Sequence, residues 1–279
     1  MIIAIPNKGR LKEPCINLLT QAGIRPEIEE RRLISPTNNP RINLLFARAR
    51  DIPEFVARGS AEVGITGYDM VLESNADVEV LLKLGFGNAK LVVAAPSGAF
   101  SSVDELEGKR VATEFGRITR EYFTKRGINV EVVEVSGACE NAPAIGIADA
   151  IVDLVSTGIT LRMNGLEVLD VVIESEAVLI ANRNAVESFE VRALTTALQS
   201  VINARGRMYL MMNVPEEALE EVKRIVPGLK GPTVMKVEAE GMLAVHVVVA
   251  EEELFEVVEK LKKIGARDIL IMPVQRLIY

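Results

Sequence analysis

The segment DAIVDLVSTGITL, residues 149–161, joins an apolar strand to a polar loop and decides the fold class. Residues 150–155 are apolar on both faces, which is typical of a strand that helices cover on both sides. Residues 156–160 then offer hydroxyls, a glycine and free backbone N–H groups at a predicted helix start, which suits a phosphate. Asp149 and Asp153 add carboxylates that can bind ribose hydroxyls or a divalent cation. The segment indicates a phosphorylated ribose, and an ordinary helix N-cap is an equally good interpretation.

The rest of the first 205 residues alternates short apolar runs with helix-like segments. The predicted strands cover residues 2–5, 42–47, 62–66, 78–84, 91–95, 110–113, 130–135 and 150–155. The predicted helices cover residues 11–22, 52–58, 69–73, 103–106, 119–126 and 142–148. Ser102 and Glu105 resemble a capping box at the start of one of these helices. This βαβ alternation predicts an α/β fold with an open, mostly parallel sheet.

A long extended stretch over residues 167–181 and a helix over residues 186–204 follow the alternating region. After residue 205 the pattern of strands and helices changes. The predicted elements that follow are a strand at 208–213, a helix at 215–225, strands at 233–237 and 243–250, a helix at 251–264 and a strand at 269–273. This βαββαβ order is the pattern of a ferredoxin-like domain.

The first 205 residues are long for one doubly wound sheet, so we expect two lobes. Residues 86–89 and 174–176 are the candidate crossings between them. The predicted domains are a first lobe (residues 1–87 with 176–205), a second lobe (residues 88–175) and a C-terminal domain (residues 206–279). A cleft between two lobes is a natural site for a small ligand.

The composition excludes several classes of protein. The 279 residues carry 32 Lys and Arg against 39 Asp and Glu, and a net charge of −7 argues against nucleic-acid binding by bulk charge. Cys15 and Cys139 form neither a metal-binding spacing nor a disulfide framework, which favours a reducing cytoplasm. We expect no signal peptide and no membrane helix, because the apolar runs are short. The single histidine, His246, lies in an apolar run and is predicted to be structural.

Three further clusters follow predicted strands, at the edge where α/β sheets bind ligands. They are residues 7–11 (NKGRL), 48–51 (RARD) and 64–69 (GITGYD). Basic side chains in the first two suit an anionic ligand, and the glycines of the third allow a ligand to approach the backbone. Each cluster alone is also consistent with an ordinary turn. The chain has no Walker loop and no complete dinucleotide fingerprint, which disfavours phosphoryl and hydride transfer.

The segment at residues 140–161 resembles the signature of the ATP phosphoribosyltransferase family. The matching residues are Glu140, Gly146, Ala148, Ile151, Asp153, Leu154, Thr157, Gly158, Thr160 and Leu161. The resemblance extends to G-R-L at residues 9–11, R-x-R-D-I-P at 48–53 and G-I-T-G at 64–67, and to the C-terminal βαββαβ pattern. It implies the long form of the family. Such an enzyme has a two-lobed, periplasmic-binding-protein-like catalytic region and a C-terminal ferredoxin-like regulatory domain.

The resemblance also implies an activity and a set of site residues. The enzyme would join N1 of ATP to C1 of phosphoribosyl pyrophosphate with Mg²⁺ and release pyrophosphate, as the first step of histidine biosynthesis. The phosphoribosyl group would contact Asp149, Asp153, Ser156, Thr157, Gly158, Ile159 and Thr160. ATP would contact Gly9, Arg10, Leu11, Arg48, Arg50, Gly67, Tyr68, Asp69, Asn88, Ala89 and Lys90. Arg10, Asp153 and Lys8 would act in catalysis, and the direct Mg²⁺ ligands stay open. Glu140 is either a site residue or a helix cap.

The C-terminal domain would bind histidine as a feedback inhibitor, and the chain would form a homodimer and a homohexamer. The candidate effector residues are Asn213, Leu229, Thr233 and Asp268; the alternative is that this domain only builds the oligomer. We expect neither nucleic-acid nor membrane partners, and a cytoplasmic location. Two rival functions stay open. One is a prephenate dehydratase-like enzyme with an amino-acid-sensing domain, because the Thr119-Arg120 pair resembles the catalytic Thr-Arg pair of that enzyme. The other is a two-lobed small-ligand-binding protein.

Overall fold

The computed structural model describes residues 1–27, 33–137, 139–226, 228 and 231–279. The chain divides into two compact units, Met1–Leu198 and Gln199–Tyr279. The strands are β1 Ile2–Pro6, β2 Ile34–Pro36, β3 Asn43–Ala47, β4 Val63–Gly67, β5 Val78–Lys83, β6 Ala89–Pro96, β7 Arg110–Thr113, β8 Glu131–Glu134, β9 Ala150–Val155, β10 Leu166–Ser175, β11 Ala177–Asn182, β12 Arg207–Pro215, β13 Thr233–Lys236, β14 Met242–Ala250 and β15 Arg267–Pro273. The helices are α1 Lys12–Gln21, α2 Ile52–Ala57, α3 Tyr68–Ser74, α4 Gly116–Arg126, α5 Ile159–Met163, α6 Phe189–Ala204, α7 Leu219–Ile225 and α8 Leu254–Lys263. The α/β class is confirmed.

The first sheet has the strand order β2-β3-β1-β4-β11-β5. Strand β1 runs parallel to β3 and β4, whereas β2 and β11 pair antiparallel with their neighbours. The central strand β4 is buried along its whole length, as its apolar sequence requires. The expectation of a mostly parallel sheet is therefore wrong, because β11 returns to this sheet from the opposite direction and separates β4 from β5.

The second sheet has the order β10-β6-β9-β7-β8. Strand β7 is parallel to β8 and β9, so these three strands end at one edge of the sheet. Strand β6 pairs antiparallel with β9 and β10, which makes this sheet mixed as well. Helix α4 packs Phe123 and Ile118 into the core beneath it. Strand β9 is thus a central strand of this sheet, and the polar loop that follows it lies at the edge shared with β7.

The chain passes from the first sheet to the second between β5 and β6, and it returns between β10 and β11. The predicted extended stretch at residues 167–181 is therefore two strands in different sheets, separated at Glu176. Backbone hydrogen bonds tie the two passages together: Leu84 N donates to Ala177 O (2.9 Å), and Ala177 N donates to Phe86 O (2.9 Å). The predicted lobe boundaries at residues 87 and 176 fall here, and the domain division itself stays a prediction.

The third sheet, in the C-terminal unit, has the antiparallel order β13-β14-β12-β15. The chain order is β12-α7-β13-β14-α8-β15, which is the predicted ferredoxin-like sequence of elements. Along β12 the residues Leu210, Met212 and Val214 are buried, and their neighbours are half-buried. This alternation places one face of the sheet against the core that includes Val222 of α7 and Leu261 of α8.

Three local predictions differ from the structure. The helix over residues 142–148 is wrong, because only Cys139–Asn141 form a 3₁₀ turn and turns follow. Pro143 restricts the residue before it, and Gly146 takes a left-handed conformation (φ 75°), so a helix cannot propagate. The capping box is also wrong in detail, since Glu105 accepts from Ser101 N (3.0 Å) and not from Ser102. Strand β2 was not predicted. No helix in the described ranges is long and apolar enough to cross a membrane.

Candidate active site

The β9–α5 loop, residues 156–160, forms the turn between a strand whose last three residues are half-buried and a short helix. Gly158 takes a left-handed conformation (φ 70°) as the residue before α5, a position at which a side chain would be strained. Ser156 and Thr157 are exposed, and within the described part of the chain their hydroxyls have no hydrogen-bond partner. A cavity of about 220 Å³ opens beside the loop; it is lined by Glu140, Asp153, Leu154, Val155, Ser156, Thr157, Gly158, Thr160 and Leu161. The loop therefore presents unused donors to a concave surface.

Asp153 brings a perturbed carboxylate to this cavity. Its Oδ1 accepts a hydrogen bond from Leu154 N at 2.7 Å. The pKa of Asp153 is raised to about 6, and burial is the main cause; the Leu154 N–H lowers this pKa, and the carboxylates of Glu140 and Glu114 raise it. Glu114, at the end of β7, accepts a hydrogen bond from Gly137 N. The loop thus has an acidic neighbourhood, so an anion bound there depends on backbone and hydroxyl donors.

The described carboxylates near the loop are too few to hold a magnesium ion without help from a ligand. Among the residues that the structure describes, no group of three or more His, Cys, Asp or Glu side chains is placed to hold a metal ion. Asp153 and Glu140 nevertheless line the same cavity as the β9–α5 loop. This donor set fits an ion that takes most of its oxygen ligands from a phosphorylated substrate, and it does not fit a metal held by protein alone.

Asp149 is not brought to the loop. It precedes β9, while Ser156 follows it, and a six-residue strand spans about 20 Å at 3.3 Å per residue. Its carboxylate instead accepts from Arg110 N at 2.9 Å, with Arg110 Nε at 3.4 Å. These contacts with Arg110 lower the pKa of Asp149. Asp149 therefore stabilises the opposite end of the strand, away from the cavity.

A second cavity, the intersheet cavity, lies where the chain passes between the first and second sheets. Its volume is about 390 Å³, and it is lined by Tyr68, Lys83, Asn88, Ala89, Lys90, Ser156, Glu174, Ser175 and Glu176. The candidate ATP residues Tyr68, Asn88, Ala89 and Lys90 thus meet Ser156 of the β9–α5 loop. Both lysines are paired, since Lys90 Nζ lies 2.8 Å from Glu174 and Lys83 Nζ lies 3.4 Å from Glu176.

Gly67 and Asp69 are not among the lining residues of this cavity, but they lie next to Tyr68 and Ser175, which line it. Asp69 is buried, its N–H donates to Ser175 Oγ at 3.0 Å, and Ser175 Oγ donates to Asp69 Oδ1 at 2.5 Å. A Cβ at Gly67 would overlap that carboxylate. The Asp69 side chain is therefore occupied by its hydrogen bond with Ser175. This indicates that Asp69 supports the cavity, which differs from the expected contact with ATP.

The basic residues of the first sheet reach toward the second. Arg10 donates to Gly87 O, at the passage between the sheets. Gly87 takes a left-handed conformation (φ 66°), and a Cβ there would overlap buried Leu11. Arg50 Nη2 donates to Glu114 O at 3.3 Å. Gly9 provides a left-handed turn (φ 79°) between Lys8 and Arg10.

Lys8 and Arg48 are exposed. Neither side chain makes an ion pair with any residue that the structure describes. Both cations are therefore available to an anionic ligand.

The comparisons with known proteins agree with this geometry. The family model described as ATP phosphoribosyltransferase matches residues 48–200, and that of the HisG C-terminal domain matches residues 204–276. This chain belongs to the ATP phosphoribosyltransferase family. A curated ATP phosphoribosyltransferase from Methanosarcina barkeri is 52% identical over 284 residues, which cover 99% of this chain and 98% of the relative. Its counterpart from Natronomonas pharaonis is 51% identical over the full length of both chains.

Two solved structures share the fold of part of this chain. A chain of the ATP phosphoribosyl transferase (HisG:HisZ) complex from Thermotoga maritima is 26% identical, with a TM-score of 0.63; it covers 71% of this chain and 99% of its own. A chain described as a putative L-cystine ABC transporter from Listeria monocytogenes has a TM-score of 0.50 at 16% identity, covering 73% of this chain and 90% of its own. The expected periplasmic-binding-protein-like fold is confirmed.

In this ATP phosphoribosyltransferase family member, the candidate effector residues Asn213, Thr233 and Asp268 lie on the third sheet. Asn213 Nδ2 donates to Asp268 Oδ2 at 3.0 Å, and Asp268 has a positive φ of 52°. Thr233 lies on β13, opposite His246 of β14, so β14 separates it from Asn213 on β12. Leu229 lies outside the described residues. His246 occupies the predicted strand, and its Nδ1 lies 2.5 Å from Tyr209 Oη.

Sequence reasoning missed the supporting residues of the family's site. Glu114 was not selected, although it follows β7 at the same edge as the β9–α5 loop. Glu174, Ser175 and Glu176 were noted only as a crossing between the lobes. The usable signal was position, because each of these residues follows or ends a strand at a passage or at the ligand-binding edge.

Proposed function

We propose that this chain transfers the phosphoribosyl group of phosphoribosyl pyrophosphate to N1 of ATP, as a pentosyltransferase in the first step of histidine biosynthesis. The observation that carries the proposal is the β9–α5 loop, whose free hydroxyls and left-handed glycine lie beside the Asp153 carboxylate. The Arg162 guanidinium also lies beside the loop, with Nη1 3.3 Å from the position that a Cβ on Gly158 would take.

The donor's 5′-phosphate would lie in the β9–α5 loop. The N–H groups of the first turn of α5 and the hydroxyls of Ser156, Thr157 and Thr160 can donate to it, with Ile159 contributing its backbone. Gly158 lets the backbone approach the phosphate closely. Asp153 would accept hydrogen bonds from the ribose hydroxyls and would thereby fix the sugar.

The reaction breaks the bond from C1 to the pyrophosphate oxygen and forms the bond from C1 to N1 of adenine. N1 has a usable lone pair, so no side chain is needed as a general base. Positive charge would develop on the ribose, and the Asp153 carboxylate would stabilise it. Mg²⁺ would neutralise the departing pyrophosphate, with Asp153 and Glu140 supplying carboxylate oxygens from the protein.

ATP would lie in the intersheet cavity, against the basic residues of the first sheet. Arg10, Lys8, Arg48 and Arg50 would face its phosphates or the leaving pyrophosphate, and Gly9 and Leu11 hold Arg10 in its turn. Tyr68, Asn88, Ala89 and Lys90 would line the nucleotide. Two substrates held by two adjacent sheets gain their mutual alignment from the protein, which is a large share of the catalysis that this reaction requires.

The proposal is tested by measuring pyrophosphate release with ATP and phosphoribosyl pyrophosphate together, and with each alone. Release that needs both substrates supports it. Formation of phenylpyruvate from prephenate would favour the dehydratase alternative, and ligand binding without turnover of either kind would favour a two-lobed binding protein.

We further propose that residues 206–279 form a regulatory domain that binds histidine through Asn213, Thr233, Asp268 and Leu229. The catalytic lobes would be residues 1–87 with 176–205 and residues 88–175, in a cytoplasmic homodimer or homohexamer. A chain that ends at residue 205 should keep pyrophosphate release and lose inhibition by histidine. Inhibition that persists in the shortened chain would place the effector site in the catalytic lobes.

A further inference from the structure

Helix α3 is attached at its first turn to the return passage between the sheets. The helix directly follows β4 of the first sheet, yet Tyr68 N donates to Glu176 O at 2.9 Å and Asp69 N donates to Ser175 Oγ at 3.0 Å. Tyr68 also lines the intersheet cavity. The start of α3 therefore lies at the junction of the two sheets.

The last turn of α3 is attached to α4 of the second sheet. Glu73 accepts two backbone hydrogen bonds at the start of α4, from Arg117 N and from Ile118 N, both at 3.0 Å. The Arg117 side chain returns to α3, because it donates to Leu72 O at 2.5 Å and to Asn75 Oδ1 at 3.0 Å. Four hydrogen bonds thus join the end of one helix to the beginning of another.

Apolar packing follows the same division. Tyr68 and Val71 pack against the core of the first sheet, whereas Met70 and Leu72 pack against the core of the second. A helix of seven residues is too short to be stable alone, so its position depends on these attachments. Helix α3 is a bridge between the sheets.

We propose that Glu73 and Arg117 are positioning residues that fix this bridge and thereby hold Tyr68 in place on the ATP side of the intersheet cavity. The inference rests on the proposed function. Neither residue lines the cavity, so each acts through α3. The β9–α5 loop lies within the second sheet and does not depend on α3, so the two substrates should respond differently.

Glu73→Gln tests the bridge, because it keeps the size of the side chain and weakens its acceptance of two backbone N–H groups. We expect the KM for ATP to rise roughly tenfold while the KM for phosphoribosyl pyrophosphate stays within about twofold. A loss of folded enzyme would lower kcat and leave both KM values unchanged. Glu121→Gln is the matched control, since Glu121 pairs with the same Arg117 at 2.9 Å but from within α4.

Asn75→Gly is the second variant, in case Glu73→Gln folds poorly. It removes the acceptor for Arg117 at a left-handed position (φ 52°) that glycine tolerates, so stability should be kept. A smaller rise in the KM for ATP is expected. The proposal is overturned if Glu73→Gln matches Glu121→Gln, or if the two substrates are affected equally.

Hydrogen exchange of the full chain without substrates tests the bridge independently of the activity. Amides of residues 68–74 and 117–119 should exchange roughly tenfold faster in Glu73→Gln than in Glu121→Gln, with β1 and β3 unchanged. Equal exchange in the two variants would overturn the inference even if the wild-type chain performs the proposed reaction. Faster exchange in a chain without that activity would refute only the proposed function.

Discussion

The strand end after β9 and the strand end after β1 both supply the candidate site, but they offer an anion opposite surroundings. After β9, the β9–α5 loop lies among carboxylates, and burial with Glu140 and Glu114 nearby raises the pKa of Asp153 to about 6. After β1, Lys8 and Arg10 are exposed cations in a glycine turn. We expect the first surface to bind a phosphate mainly through backbone and hydroxyl donors, with Arg162 as the neighbouring cation, and the second to bind it mainly through charge.

This difference separates two kinds of substitution. A change of backbone conformation in the β9–α5 loop should affect the phosphoribosyl donor and should depend little on salt. A loss of charge after β1 should affect ATP, and its effect should shrink as salt screens exposed charges.

Gly158→Val should lower kcat/KM for the phosphoribosyl donor by roughly 100-fold or more. A β-branched residue is strongly disfavoured at φ 70°, so the loop would have to give up the conformation that presents its N–H groups. Steady-state kinetics with each substrate varied in turn gives the measurement. Gly98→Val is the control, because Gly98 has the same φ sign (74°) and no atom within 4 Å of a Cβ. Similar losses in both variants would contradict the role of the loop.

Arg10→Gln should lower kcat/KM for ATP roughly tenfold, as expected for the loss of one charge-assisted contact with a phosphate. The loss should be larger at low ionic strength than at high ionic strength. Arg25→Gln provides a control with the same change of net charge at an exposed position. A defect that is independent of salt would indicate that Arg10 matters through its hydrogen bond to Gly87 O and not through its charge.

Asp153→Asn should stabilise the fold above pH 6 and reduce activity. The folded-state pKa of about 6 exceeds the ordinary value of 3.8, so the folded chain binds the proton more tightly and loses stability as pH rises from about 4 to 6. The variant escapes this cost and should gain about 1–3 kcal/mol in free energy of unfolding at pH 7.5. Urea unfolding at pH 4 should show no gain. A variant that is less stable at pH 7.5 would mean that Asp153 is not desolvated as described.

The β9–α5 loop could be predicted because its signals are local. An apolar strand, two hydroxyls and a glycine lie within a few residues, and the end of a strand defines their common edge. The fate of Asp149 could not be predicted in this way. Its closeness to Ser156 in sequence is misleading, since a strand between two residues carries them to opposite ends of the sheet.

The mixed direction of the first two sheets was also beyond local reasoning. Strand β11 is as apolar as β4, and no local pattern states that it enters the first sheet antiparallel after a passage through the second. The hydrogen-bonded pairs that support the site could not be predicted for the same reason. Asp69 and Ser175 are 106 residues apart, and Glu73 and Ile118 are 45 apart, so only the fold brings them together.

Glu174→Gln should have the smallest effect on the KM for ATP, and it should lower this KM, whereas the other substitutions impair the reaction. The variant frees Lys90, which now lies 2.8 Å from Glu174, and leaves an unpaired cation in the intersheet cavity. Both side chains are exposed, so the pair is weak. We expect the KM for ATP to fall about twofold at low salt and to match the wild type at high salt. Glu187→Gln, which breaks the exposed pair with Arg192, is the control. A rise in the KM for ATP would mean that Glu174 orients Lys90 toward the nucleotide. The basic side chains on the ATP side would then depend on geometry as much as the β9–α5 loop does.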